Sequence, residues 1–144
     1  MLRAVIDGIE MELKEKMSIL DAAKKAKINI PTLCYEEGLS IYGGCRLCVV
    51  EIEGEELLKP ACATDIQDGM EIRTHSKKVR NLRKNLFELI IATHNIDCQL
   101  NCLTCSRSNN CELKNIAEDI GASKMRLDPI KREEGIDNFR LFAI

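Results

Sequence analysis

Apolar and polar positions alternate with a period of two at the start of the chain. Leu2, Ala4 and Ile6 interleave with Arg3 and Val5, and after Asp7-Gly8 the residues Ile9, Met11 and Leu13 interleave with Glu10, Glu12 and Lys14. Successive side chains on an extended backbone point to opposite faces, so each run predicts a strand. Asp-Gly between them is a two-residue hairpin signal. Ser18, with Asp21 three residues later, reads as a capping box that opens a short helix over residues 19–26. Ile19, Ala22, Ala23 and Ala26 form its inward face.

Strand-like alternation returns over residues 49–53, which turn at Glu53-Gly54 with Leu57 and Leu58 on the return, and again at Met70, Ile72 and Thr74. Two strands, a helix, a hairpin and a closing strand describe a small mixed sheet crossed by one helix. The fold class is therefore α+β, of the β-grasp pattern, over residues 1–75. From Ser76 the period changes to 3.6: Val79, Leu82, Leu86, Leu89 and Ile90 draw one stripe and predict an amphipathic helix over residues 76–93. Leu113, Ile116, Ala117 and Ile120 mark a second short helix that Gly121 ends. The expected organisation is a sheet domain over 1–75, a helix-loop-helix segment over 76–122 and a weakly patterned tail over 123–144. That tail carries Phe139, Leu141, Phe142 and Ile144 as a candidate partner contact.

Charge narrows the class. Twenty-one basic residues against 23 acidic ones give a net charge of −2, without the basic excess of a nucleic-acid binder. The N-terminal stretch has no apolar core of a secretory signal. The longest apolar run, Leu89 to Ala92, is far too short to span a bilayer. A cytoplasmic chain without membrane insertion is the expectation. The run KKVRNLRK over residues 77–84 packs five cations into eight positions. A solvated helix face is the ordinary reading of it; docking of an acidic partner through Arg80 and Arg83 is the sharper one. No dinucleotide fingerprint and no phosphate-binding loop are present.

Eight cysteines change the picture most. Disulfides rarely persist in the cytosol, so metal or cluster binding is the default. Cys34, Cys45, Cys48 and Cys62 have ten, two and thirteen residues between them, and Pro31, Gly43-Gly44 and Pro60 place turn signals beside them. A structural zinc site is the competing reading, which would make the chain an interaction module. Zinc sites, however, favour two close pairs, and only Cys45 and Cys48 are close here. One close pair plus two outlying thiolates suits a [2Fe–2S] centre, with two ligands on each iron.

This spacing, with the phrases IPTLCY, IYGGCRLCVVEIEG and ACAT, resembles the N-terminal ferredoxin domain of a family. The family is shared by [FeFe]-hydrogenases, NAD-linked hydrogenases and formate dehydrogenases, and the large cluster-bearing (75 kDa type) subunit of complex I. The resemblance implies a second centre, a [4Fe–4S] cluster ligated by H-x3-C-x2-C-x5-C. Cys102, Cys105 and Cys111 reproduce the C-x2-C-x5-C part, with CLTC and NCEL as they stand here. Four extra residues, Cys98 to Asn101, stretch the gap after His94 to seven and add a cysteine.

Three ligand sets remain open: His94 with the three matching cysteines, Cys98 in place of His94, or His94 and Cys98 with Cys102 spare. A thiolate in place of an imidazole would make the centre more negative. The presence of a cysteine within so short an insertion tips the choice toward Cys98. The family likeness further implies one [2Fe–2S] and one [4Fe–4S] cluster, and an electron-carrying subunit that is not catalytic alone. It also implies a hetero-oligomer with a flavin- and NAD(P)-binding subunit and a thioredoxin-like [2Fe–2S] subunit.

Overall fold

The structure, a computed structural model, describes residues 1–94, 108–122 and 126–127. Its sheet has five strands: β1 (Leu2–Ile6), β2 (Ile9–Leu13), β3 (Val49–Ile52), β4 (Lys59–Pro60) and β5 (Met70–Arg73), in the order β2-β1-β5-β3-β4. β1 and β2 pair antiparallel from Ile6 opposite Ile9 outward. The turn between them carries positive φ at both Asp7 (49°) and Gly8 (83°), the hairpin geometry that Asp-Gly predicts. β5 lies parallel to β1, with Ile72 opposite Ile6, and antiparallel to β3. A parallel neighbour needs a long crossover. Everything from α1 (Ile19–Lys25) to β4, the cysteine loop included, lies within this one.

The inward residues of the strands and of α1 make the first core: Ala4, Ile6, Leu13, Ile19, Leu20, Ala22, Ala23, Val50, Ile52 and Ile72 are all buried. Cys48 and Cys62 belong to it as well. The α1 cap forms as the sequence predicts. Asp21 N–H donates to Ser18 Oγ at 3.1 Å, and that hydroxyl donates to the Asp21 carboxylate at 2.7 Å.

Two helices follow, α2 (Lys77–His94) and α3 (Glu112–Ile120), and α3 ends at Gly121 in the left-handed region (φ 65°). They build a second core from Leu47, Phe87, Ile91, Ile116 and Ala117, against which Leu33, Cys45 and Leu113 pack. Asn29 Nδ2 reaches Asp119 at 2.9 Å, tying the exit of α1 to α3. Arg126 binds the buried Glu88 carboxylate at 2.9 Å.

Three local expectations are corrected. The return of the β3 hairpin is Lys59–Pro60, while Leu57 is 73% exposed, because that segment faces away from the core. On α2 the buried row is Val79, Arg83, Phe87 and Ile91, one residue round from the stripe read in the sequence, and Leu89 lies outside at 52% exposure. Arg83 therefore stands on the inner face and not on a solvated one. The tail residues Phe139, Leu141, Phe142 and Ile144 lie outside the described residues.

Candidate functional site

Cys34, Cys45, Cys48 and Cys62 come together as two pairs. The sulfurs of Cys34 and Cys45 are 3.3 Å apart, and those of Cys48 and Cys62 are 3.4 Å apart. Each cysteine is placed by a different piece of backbone. Cys34 follows Ile30-Pro31 out of α1, and Tyr35 anchors it: the phenol donates to Asp21 at 2.7 Å, and Lys24 sits 4.2 Å from the ring centroid. Cys45 follows Gly43, whose φ of 65° suits a residue without a side chain. A Cβ on Gly44 would overlap the Tyr42 ring, so the glycine pair gives the loop its close turn. Arg46 then takes a left-handed φ of 58°, after which Leu47 is wholly buried in the second core and Cys48 enters the first.

Cys62 sits in a 3-10 turn, Ala61–Ala63, directly after β4. Ala61 N–H donates to the Cys48 carbonyl at 3.0 Å, which holds this pair in register. Ile19 N–H donates to the Thr64 carbonyl at 2.9 Å, fastening the turn to the start of α1.

Two of the thiols, Cys45 and Cys62, feel their burial most. Burial pushes the Cys62 thiol up to about 12, and the neighbouring Cys48 and the charges of Cys34 and Cys45 push in the same direction. Cys45 is also raised, by burial first, while backbone hydrogen bonds from Leu47 and Leu33 pull it back and Cys34 adds to the rise. The Cys45 N–H points at Cys34 Sγ, 3.4 Å away. Held this close, four thiolates would repel one another, and a bound iron–sulfur centre would supply the positive charge between them. Two pairs fit two irons better than one zinc. The residues present fit a [2Fe–2S] cluster.

Of the second constellation, His94 is the last residue of α2 and exposed, and Cys111 is the N-cap of α3, half-buried and making no capping bond. Cys98, Cys102 and Cys105 lie outside the described residues, and with them the competition between His94 and Cys98. A surface depression of about 540 Å³ lies elsewhere, against Asp7, Gly8, Arg73 and His75. His75 is exposed there, 3.6 Å from the Asp7 carboxylate. None of the described helices is long and apolar enough to cross a membrane.

Two features went unread in the sequence. The Tyr35–Asp21 bond joins residues fourteen apart, and no short motif signals it. Arg83 was hidden because a cation at a helix position reads as solvent-facing. Its spacing of four from both Val79 and Phe87 was the available clue.

Comparison with known proteins finds iron–sulfur families along the chain. Residues 1–77 match the model of the 2Fe-2S iron-sulfur cluster binding domain, and residues 83–126 match the NADH-ubiquinone oxidoreductase-G iron-sulfur binding region. Both describe iron–sulfur sites, and nothing found supports zinc. The NADP-reducing hydrogenase subunit HndD of Solidesulfovibrio fructosivorans is 44% identical over 133 residues, covering 89% of this chain and 22% of that protein. The NADH-ubiquinone oxidoreductase 75 kDa subunit of Reclinomonas americana is 33% identical over 132 residues, covering 92% of this chain and 18% of that protein. The chain thus spans about a fifth of the length of these relatives. Among solved structures, an NAD+-reducing [NiFe]-hydrogenase in the H2-reduced state matches with a TM-score of 0.78 and 27% identity, over 92% of this chain and 54% of that one.

Proposed function

The chain belongs to the 2Fe-2S iron-sulfur cluster binding domain family, and on that premise we propose that it relays single electrons within a larger NAD(P)-linked oxidoreductase. The observation that carries this reading is the two-by-two arrangement of thiols, Cys34 with Cys45 and Cys48 with Cys62. In it, these four residues hold one [2Fe–2S] cluster. Cys102, Cys105 and Cys111 hold one [4Fe–4S] cluster, with Cys98 or His94 as the fourth ligand. Bound iron–sulfur clusters supply one-electron acceptance and release with little movement of atoms.

The chain's own residues do the rest. Cys48 and Cys62 are buried, so they keep that side of the site dry. The Cys45 N–H offers a hydrogen bond to sulfur. Leu47 packs the cysteine loop against α2 and α3, the helices that flank the second ligand set. That packing ties the cysteine loop to the two helices, which supports reading the chain as a relay. In the same proposal the organisation is a sheet domain over 1–75, a helical segment over 76–122 and a partner-contacting tail over 123–144. The partners are a flavin- and NAD(P)-binding subunit and a thioredoxin-like [2Fe–2S] subunit in a cytoplasmic hetero-oligomer. The names borne by the relatives, an NADP-reducing hydrogenase and an NADH-ubiquinone oxidoreductase, support that setting.

Anaerobically reconstituted protein is expected to be brown, with about six irons per chain, the sum of one [2Fe–2S] and one [4Fe–4S] centre. Reduction should give two distinct EPR signals. Colourless protein holding zinc would overturn the proposal. The fourth ligand is assigned by a pair of variants. His94→Ala is expected to leave the [4Fe–4S] signal intact while Cys98→Ser abolishes it, and the opposite pattern gives the position to His94.

A further inference from the structure

Arg83 is a cation in the wrong place for its neighbours. It lies on the buried row of α2 between Val79 and Phe87 and is only 2% exposed. Its Nη2 donates to the Val49 carbonyl at 2.8 Å, and Val49 follows Cys48 directly. Its Nε is buried without a hydrogen-bond partner, and no carboxylate pairs with it among the described residues. Burial lowers its pKa to about 10, against the attraction of Cys48 and then Asp7. The Asp7 carboxylate is itself occupied by the backbone N–H and hydroxyl of Thr74. An unpaired guanidinium in a protein interior is costly, and buried charges are held where an opposite charge meets them. The protein side chains near Arg83 do not supply enough of it.

We propose that Arg83 is the fixed counter-charge of the [2Fe–2S] site, a positioning residue that holds a buried positive charge beside the Cys48–Val49 segment and favours the electron-loaded state. This rests on the reading that Cys34, Cys45, Cys48 and Cys62 hold that cluster. Four thiolates and two bridging sulfides outweigh the charge of two irons, so the oxidised site is already anionic. One-electron reduction by the flavin-bearing partner adds one more negative charge and breaks no bond. A nearby cation that does not move stabilises the more negative state more, and so raises the potential. The remaining cations of the run 77–84 differ: Lys77, Lys78, Arg80 and Lys84 are exposed to water, where their charge is screened.

The test is an EPR-monitored redox titration of the reconstituted full chain carrying Arg83→Gln, Arg83→Met or Arg83→Lys, with Arg80→Gln as the exposed comparison. Both neutral variants at 83 are expected to lower the reduction equilibrium constant of the [2Fe–2S] centre at least tenfold, about 59 mV for a one-electron couple. Arg83→Lys and Arg80→Gln should stay within about twofold of the parent. Loss of the cluster from both neutral variants, with retention in Arg83→Lys, equally supports a requirement for the charge. The proposal is overturned if all three variants at 83 keep the parent potential, if all three shift alike, or if all three lose the cluster. A failure of the underlying ligand reading shows separately, as the absence of a [2Fe–2S] signal from the unsubstituted chain.

Discussion

Tyr35 links the Cys34 segment to the first helix through one hydrogen bond. Its partner Asp21 is pushed up by burial, but the hydrogen bonds from Tyr35 and Ser18 and the charges of Lys24 and Lys25 outweigh this and hold the carboxyl below its usual value. The phenol is raised to about 12, chiefly by that same bond to Asp21 and then by burial. A raised folded-state value means a contribution that is fully present below the phenol's ordinary 10.0 and is lost as pH rises through about 12. Tyr35→Phe is therefore expected to cost about 1.5 kcal/mol near neutral pH, the worth of a hydrogen bond to a charged group. In urea unfolding followed by cluster absorbance, the gap between variant and parent should hold steady up to about pH 10 and narrow above it. A gap that widens with pH would mean that the bond acts through the ionised phenol instead.

At the scale of elements, α2 shows how far an amphipathic pattern can mislead by one residue. Counting only apolar residues gives Leu82, Leu86 and Leu89, yet Leu89 is 52% exposed and Phe87 wholly buried. The buried row runs at steps of four through Val79, Arg83, Phe87 and Ile91, and the cation in it disguises the period. Phe87→Ala should lower stability by about 3–5 kcal/mol, the range for emptying a buried aromatic site. Leu89→Ala should stay within about 0.5 kcal/mol, as surface changes do. Thermal unfolding of the two variants side by side checks the orientation of the helix, and comparable losses would refute it.

The strands were legible for the opposite reason. In β1 each residue's face is fixed by alternation alone, and Ala4 and Ile6 are buried as that alternation requires. Asp7-Gly8, Ser18 and Gly121 each carry local turn or cap chemistry that acts within a few residues, so all three were readable. Leu57 was not: whether an apolar residue after a turn faces in or out depends on where the rest of the sheet lies.

At the scale of the molecule, the cysteine spacing pointed to the candidate site before any geometry, and the structure brings Cys34, Cys45, Cys48 and Cys62 together as two pairs. What holds these cysteines in place was not readable. The two cores meet at the cysteine loop, with Cys48 and Cys62 in one and Cys45 packed against the other. These are contacts between segments far apart in the chain, which no local pattern encodes.

Leu47 carries a consequence for anyone who would redesign this loop. It is one of the two residues between Cys45 and Cys48, and it is wholly buried against α2 and α3. Inserting or deleting a residue there would alter the distance between the two thiols. It would also swing an aliphatic plug out of its socket and leave an unfilled hole beneath two helices. The spacing is thus held by shape on one side and, in the proposed function, by coordination chemistry on the other. A transplanted loop would need to bring its helical lid with it.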